Sequence, residues 1–296
     1  MTSPSTTAPS SPHRRAYENR PATSRAPGAR PVALVTGGAR RIGRAIALEL
    51  AGNGHDIALH LRRADPATQA DAAATAAELR QAGARVELFV ADFDDDDATA
   101  GLVPAVARSF GRLDVLVNNA SRFEYDNPAQ FEPTLLAALV RSNTTAPVVL
   151  ARALSRQVAA QAPLAGVSPC VINLLDQKLA NPNPDYFSYT LTKAALQHAT
   201  VLLAQALAPA IRVCGVSPGL TMLSGPMNDS EFERAHALTP LGRSSTPEDI
   251  ARAVCFLAQS PAITGVDLAV DGGQHLAAQA RDVLFLARAE GASASA

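Results

Sequence analysis

The 296-residue chain is short of several things, and each shortage removes a class of function. Its three cysteines, Cys170, Cys214 and Cys255, are odd in number and form no C-x-x-C. That excludes a disulfide framework and a thiolate metal site, and it fits buried, reduced thiols in a reducing cytosol. The six histidines show no metal-ligand spacing, so no metal is expected. The net charge of −1 provides no basic field for nucleic acid, and no acidic block suggests a disordered interaction protein. No apolar run approaches the roughly 18 residues that a membrane span needs, so a cytoplasmic protein with no membrane partner is expected. Lysine is scarcest among the charged residues: the basic residues are mostly arginine, and the only lysines are Lys178 and Lys193.

What is present is an ordinary globular composition, 47% hydrophobic and 18% charged, with a sizeable core in reach. Residues 1–30 are rich in Ser, Thr, Pro, Ala and Arg and lack apolar periodicity, so they are expected to form a disordered extension. Arg-rich, acid-poor composition also describes transit peptides, although the many prolines oppose an amphipathic helix. From Pro31 onward, apolar strand-like runs alternate with helical patterns. The runs are "PVALVT", "DIALHLR", "RVELFVADF", "LDVLVNNAS", "CVINLLD", "IRVCGVSPG" and "VDLAVDGG". Helices are expected at 67–82, 96–110, 133–160 and 187–207, besides "RRIGRAIALELAGNG" and "TPEDIARAVCFLAQ". Continuous apolar runs suit a parallel sheet covered on both faces. Seven such units make a single doubly wound α/β domain over 31–275. The tail, 276–296, has room for a short helix in "ARDVLFLARA" before small residues take over.

Chemistry concentrates where strands end. "VTGGARRIGRAIA" follows the first strand with a glycine turn and a helix start, an arrangement that sets backbone N–H groups against a pyrophosphate. The second strand ends on His60, Arg62 and Arg63, where an acidic residue would have favoured a ribose 2′-hydroxyl. Guanidinium groups there suit a 2′-phosphate, hence NADPH; the bland alternative is a solvated basic turn. The third strand ends at Asp92, followed by Asp94–Asp97, whose expected role is to cap and charge the next helix. Tyr189 and Lys193 are one helical turn apart, so a neighbouring ammonium could favour the phenolate and ease proton transfer. Met222 and Met227 lie in a stretch from Thr221 to about Pro240 with little sheet character. That stretch reads as a lid over a flat apolar substrate or as ordinary filler.

These motifs together resemble the short-chain dehydrogenase/reductase family, a Rossmann-type fold, over the whole of 31–275. Thr36, Gly37 and Gly43 match its T-G-x-x-x-G-x-G pattern, with Ile42 beside them and Arg41 in place of the middle glycine. Asn118, Asn119, Ala120 and Ser121 stand where the family has N-N-A-G. The resemblance implies that Asn119 steadies the sheet, Ala120 leaves room for the ribose and Asp92 caps the adenine amino group. It implies that Asn143 shapes a proton relay to the lysine and that Lys193 holds the nicotinamide ribose. It also implies that Pro218, Gly219 and Thr221 lie beside the nicotinamide, and that the molecule is a homotetramer built through helices 133–160 and 187–207.

Departures from the family pattern point to a branch. Where ordinary members carry a serine at the end of the fifth strand, this chain has Asp176. With Arg41, Ser121 and Phe123, it resembles the pteridine reductases and the related bacterial dihydromonapterin and dihydrofolate reductases. The branch implies a pterin substrate held by Arg41, Phe123, Asp176, Tyr189 and Met222, with a C=N bond reduced. A carboxylate beside Tyr189 can relay a proton or grip an amino-pyrimidine edge. The plainer expectation for Asp176 is an ion pair with Lys178 or an arginine. A generic carbonyl reductase acting on ketones or 3-oxoacyl groups is the alternative activity. A non-catalytic dinucleotide sensor would require a silent Tyr189–Lys193 pair.

Overall fold

The computed structural model describes residues 30–223 and 227–293. Except for Arg30, the N-terminal extension lies outside these residues. Arg30 itself belongs to the fold, because its guanidinium donates to the carbonyls of Gly54 (3.2 Å) and Gly83 (2.7 Å).

Seven parallel strands are ordered β3-β2-β1-β4-β5-β6-β7. They are β1 (Val32–Val35), β2 (Asp56–Leu61), β3 (Val86–Val90), β4 (Val115–Asn118), β5 (Cys170–Leu174), β6 (Arg212–Pro218) and β7 (Asp267–Val270). The connecting helices are α1 (Arg41–Gly52), α2 (Pro66–Gln81), α3 (Asp96–Phe110), α4 (Pro133–Val140), α5 (Ala146–Ala160), α6 (Phe187–Leu207), α7 (Asp229–Ala237), α8 (Pro247–Gln259) and α9 (Val283–Ser293). Successive strand side chains point to opposite faces, so each inner strand feeds two cores. Ala33 and Val35 of β1 join Ile46, Leu50 and Ile250 on one side. Val32 and Leu34 join Leu102, Leu150 and Leu154 on the other. These leucines are fully buried, and truncating one to alanine should cost about 2–5 kcal/mol. The edge strands differ from the continuous apolar pattern expected of them. β3 and β7 alternate in exposure, and Leu88 and Val90 face outward, because an edge has helix cover on less of its surface.

The order reverses between β1 and β4, and that switch point opens a crevice at the carboxyl ends of the strands. Two expected elements are altered there. The helix expected over 133–160 is interrupted by a π-helical turn, Arg141–Thr145, which carries Asn143; such turns occur often at functional sites. The stretch after Thr221 contains α7, opened by a capping box between Asn228 and Glu231. The expectation that nothing is long and apolar enough to cross a membrane also needs correction. By length and composition alone Pro133–Ala160 qualifies, although here it is a helix of the fold whose Leu139, Leu150 and Leu154 are fully buried.

Candidate active site

The turn between β1 and α1 is built for close backbone approach. Gly37 is left-handed (φ +62°), and a Cβ there would press on Ala120. A Cβ on Gly43 would collide with the Gly37 carbonyl, so only glycine lets α1 start this close to the strand. Thr36 is buried and joins β1 to β4: its hydroxyl accepts from the N–H groups of Asn119 (2.9 Å) and Ala120 (3.0 Å). Asn119 Nδ2 donates to the carbonyls of Thr36 (2.8 Å) and Gly37 (3.2 Å). Arg41, at the position of the family's middle glycine, keeps a glycine-like φ of +56°, at a cost of about 1 kcal/mol. Its guanidinium reaches across the crevice to the Leu223 carbonyl (2.9 Å).

His60 is not among the residues that line the cavity described below. It is buried, accepts the Gly37 N–H at Nδ1 (3.1 Å), meets the Ala91 carbonyl at Nε2 (2.9 Å) and stacks on Phe93. Burial pushes its pKa down to about 4, so it is a neutral strut beneath the glycine turn. Beyond it, Arg62 Nε pairs with Asp92 (3.1 Å) and its Nη2 with Asp94 (2.8 Å), while Arg63 makes one longer contact to Asp92 (3.3 Å). Both Asp92 oxygens are therefore engaged by arginine. Asp95 caps α3, with Asp96 and Asp97 in its first turn. Asp94 leaves that acidic run to tie Arg62 to Arg122.

Asn143 makes no direct hydrogen bond to Lys193 among the described residues. Its Oδ1 accepts the Arg122 N–H (2.8 Å) and the Ser121 hydroxyl (3.2 Å), and its Nδ2 donates to the Arg122 carbonyl (2.9 Å) and Thr192 Oγ1 (3.1 Å). It fixes the loop after β4 against α6 one residue before the lysine.

At the end of β5 the expected trio comes together, with altered roles. Tyr189 Oη donates to Asp176 Oδ2 (3.0 Å). Lys193 Nζ donates to the Leu174 carbonyl (2.7 Å) and lies 5.7 Å from the Tyr189 ring centroid. The phenolate-favouring ammonium expected from the i, i+4 spacing is thus overruled. Burial, and then the Asp176 carboxylate, push the Tyr189 phenol well above its ordinary range, so it stays protonated. Burial also raises Asp176, against the pull of the Lys178 N–H, the phenol and the Lys193 charge. Lys193 is pushed down to about 8 by burial, with Asp176 opposing. The plainer expectation for Asp176 fails as well. From Lys178 it accepts the backbone N–H (2.9 Å), while the Lys178 ammonium turns to the Asp185 carbonyl and Asp282.

These groups open on a cavity of about 680 Å³. Arg41, Ile42, Ser121, Phe123, Pro218, Gly219, Thr221 and Met222 all line it. Phe123 stacks on Tyr186 (centroids 4.3 Å apart) and meets Tyr189 edge-on (4.7 Å). Tyr186, Lys178, Asp282, Val283 and Leu284 line the same space and were missed from sequence. The first two sit within ten residues of Asp176 and could have been suspected; the last three lie about a hundred residues away in the tail.

A family profile described as enoyl-(acyl carrier protein) reductase matches residues 37–275. Pteridine reductase 1 of Leishmania tarentolae is 36% identical over 284 residues, covering 83% of this chain and 96% of that protein. The 3-oxoacyl-[acyl-carrier-protein] reductase FabG of Staphylococcus aureus is 30% identical over 249 residues, covering 82% and 98%. Among solved structures, FolM alternative dihydrofolate reductase 1 from Brucella canis complexed with NADP superposes with a TM-score of 0.77 at 36% identity, covering 85% of this chain and 96% of that one.

Proposed function

The chain belongs to the short-chain dehydrogenase/reductase family, and from that premise we propose that it uses NADPH to reduce a C=N bond of a pterin or dihydropterin, of the dihydromonapterin, dihydrobiopterin or dihydrofolate class. The observation that carries the substrate is the Tyr189–Asp176 hydrogen bond, a protonated phenol on a carboxylate where a serine would serve a carbonyl.

The residues present fit the cofactor. The N-terminus of α1 faces the cavity, with no side-chain cap on it among the described residues, and suits a pyrophosphate. Arg63, side chain 65% exposed and held by one long contact, is the arm for the 2′-phosphate; Arg62, pinned by two carboxylates, braces it. Lys193, Pro218, Gly219 and Thr221 border the nicotinamide end. Bound there, a reduced nicotinamide supplies the hydride. Tyr189 and Asp176 keep an exchangeable proton at the cavity floor for the nitrogen that gains the electron pair. Lys193 places a positive charge below the pair. Phe123 offers a face for a flat ring, and Arg41 closes the crevice toward Leu223. The proposed assembly is a cytoplasmic homotetramer. Leu191, Val201 and Leu202 on α6 and Val140 on α4 leave apolar surface exposed for a helix–helix contact, and the three thiols are free and buried.

Turnover of NADPH with dihydrobiopterin, dihydromonapterin and dihydrofolate, beside a ketone panel, tests the proposal. Activity on ketones with none on any pterin would sink it in favour of the carbonyl reductase reading, which the resemblance to a 3-oxoacyl reductase keeps in play. On that second reading Asp176→Ser keeps or raises ketone activity; on the first it abolishes pterin reduction.

A further inference from the structure

The chain's two lysines line one cavity, and only Lys193 has been given a task. Lys178, 5% exposed, follows Asp176 by two residues. Its ammonium donates to the Asp185 carbonyl and lies 3.5 Å from Asp282 Oδ2, which is the outer limit of a hydrogen bond. Among the described residues, its three N–H groups thus have one firm acceptor, one distant one and the Tyr186 ring 5.5 Å away. Asp282 is equally under-used. Its Oδ1 accepts the Leu284 N–H at the start of α9 (3.1 Å), and among the described residues its Oδ2 has only the distant ammonium. A donor and an acceptor with capacity to spare stand side by side on the cavity wall.

Asp282 belongs to a segment beyond the family match, which ends at residue 275. The segment is firmly fixed. Asp185, 2% exposed, takes Arg281 in a bidentate grip (2.8 and 3.0 Å) and accepts the Asp282 N–H (2.7 Å). Behind it, Val283 and Ala287 pack on Ala235 of α7. The tail therefore contributes a wall to the cavity from beyond the matched residues.

We propose that Lys178 and Asp282 form a second polar edge of the substrate site, which selects a pterin with a neutral hydroxylated substituent over one with an anionic tail. A hydroxyl can accept from Lys178 and donate to Asp282 at once. A carboxylate can only accept, and it would meet Asp282 as a like charge. The proposal rests on the pterin reading, and the test separates the two.

Calorimetry on NADP⁺-loaded protein compares biopterin, which carries a dihydroxypropyl group, with 6-methylpterin. Biopterin should bind about tenfold tighter, the size expected of one or two well-placed hydrogen bonds. In Asp282→Asn, which keeps the helix cap, and in Lys178→Met the ratio should fall below about threefold. Arg281→Ala, which loosens the anchor, should lower it too. In turnover, Asp282→Asn should raise dihydrofolate relative to dihydrobiopterin. A wild-type binding ratio near one overturns the proposal, as does an unchanged ratio in Asp282→Asn protein with wild-type Tm and NADP⁺ affinity. Should Lys178→Met not fold, Asp282→Asn decides. Selective binding without reduction of any dihydropterin overturns the reductase reading and leaves this one. Reduction without selectivity does the reverse, and failure to bind either pterin overturns both.

Discussion

At the adenosine end of the crevice, Arg62 and Arg63 meet Asp92 and Asp94 through side chains 28–65% exposed. At the substrate end, Asp176, Tyr189 and Lys193 hold one another and the backbone in place beneath the surface. Both ends gather charge, with different consequences. Exposed ion pairs are worth about 0–1 kcal/mol each, so an incoming phosphate can rearrange them cheaply. A buried polar group that loses its partner costs about 1–3 kcal/mol or more, so the substrate end must be used as it is built. On the proposed function, the adenosine end is therefore an adaptable clamp, and the substrate end is preorganised chemistry.

The largest effect that would break this contrast is expected at Tyr189. Replacing it with Phe removes the only side-chain donor to Asp176 among the described residues, and kcat for a dihydropterin should fall about 10²–10⁴-fold. The NADPH Kd, read separately by fluorescence titration, should change little. A kcat within tenfold of wild type would mean that the buried pair is scaffold and that the contrast is false.

Asp176→Asn comes next, with an expected loss of about 10²-fold in kcat and a second readout in pH. Lys193 titrates at about 8 in the fold against 10.5 for the free side chain. Between those values the unfolded chain binds more protons, so this group's contribution to stability rises with pH across the window and is lost as pH falls through about 8. On the proposed function this ammonium, present below about 8, serves the nicotinamide end, so kcat/KM should decline above it. The Asp176 carboxylate is what holds Lys193 up against burial. Asp176→Asn should therefore move the alkaline decline to lower pH. A decline that stays put would show that the carboxylate does not communicate with the lysine.

The contrast between the two ends also accounts for what could be read from the sequence. Strand ends, the glycine turn and the Tyr189–Lys193 spacing are local, and each was visible as a run, a turn or one helical repeat. Asp176 was visible as a carboxylate where an apolar strand stops. The direction of its effect was not. Whether Lys193 or Asp176 governs the Tyr189 phenol depends on which group the lysine ammonium chooses, and it chooses the Leu174 carbonyl 19 residues away. The wall formed by Asp282 was invisible for the same reason: its partners, Asp185 and Lys178, are separated from it by about a hundred residues. His60 shows the converse error. Its place at the strand end suggested a ligand contact, whereas burial makes it a support for the Gly37 N–H. The π-turn at Asn143 left no mark in the apolar spacing, because one extra residue per turn leaves the helix pattern on either side intact.

The smallest effects separate the two arginines. With Arg63 as the 2′-phosphate arm, Arg63→Ala should weaken NADPH binding about tenfold, the scale of a charge-assisted hydrogen bond to phosphate. NADH, which lacks that phosphate, should be unaffected. Arg62→Ala should weaken NADPH by no more than about threefold, because its guanidinium is already committed to Asp92 and Asp94 and acts by holding them in place. Paired titrations of both variants with both cofactors at one salt concentration measure this. If Arg62→Ala proves the more damaging, the carboxylates must release Arg62 when the cofactor enters. The adenosine end would then be rearranged more deeply than a single free arm requires, and its exposed ion pairs would be part of the binding reaction itself.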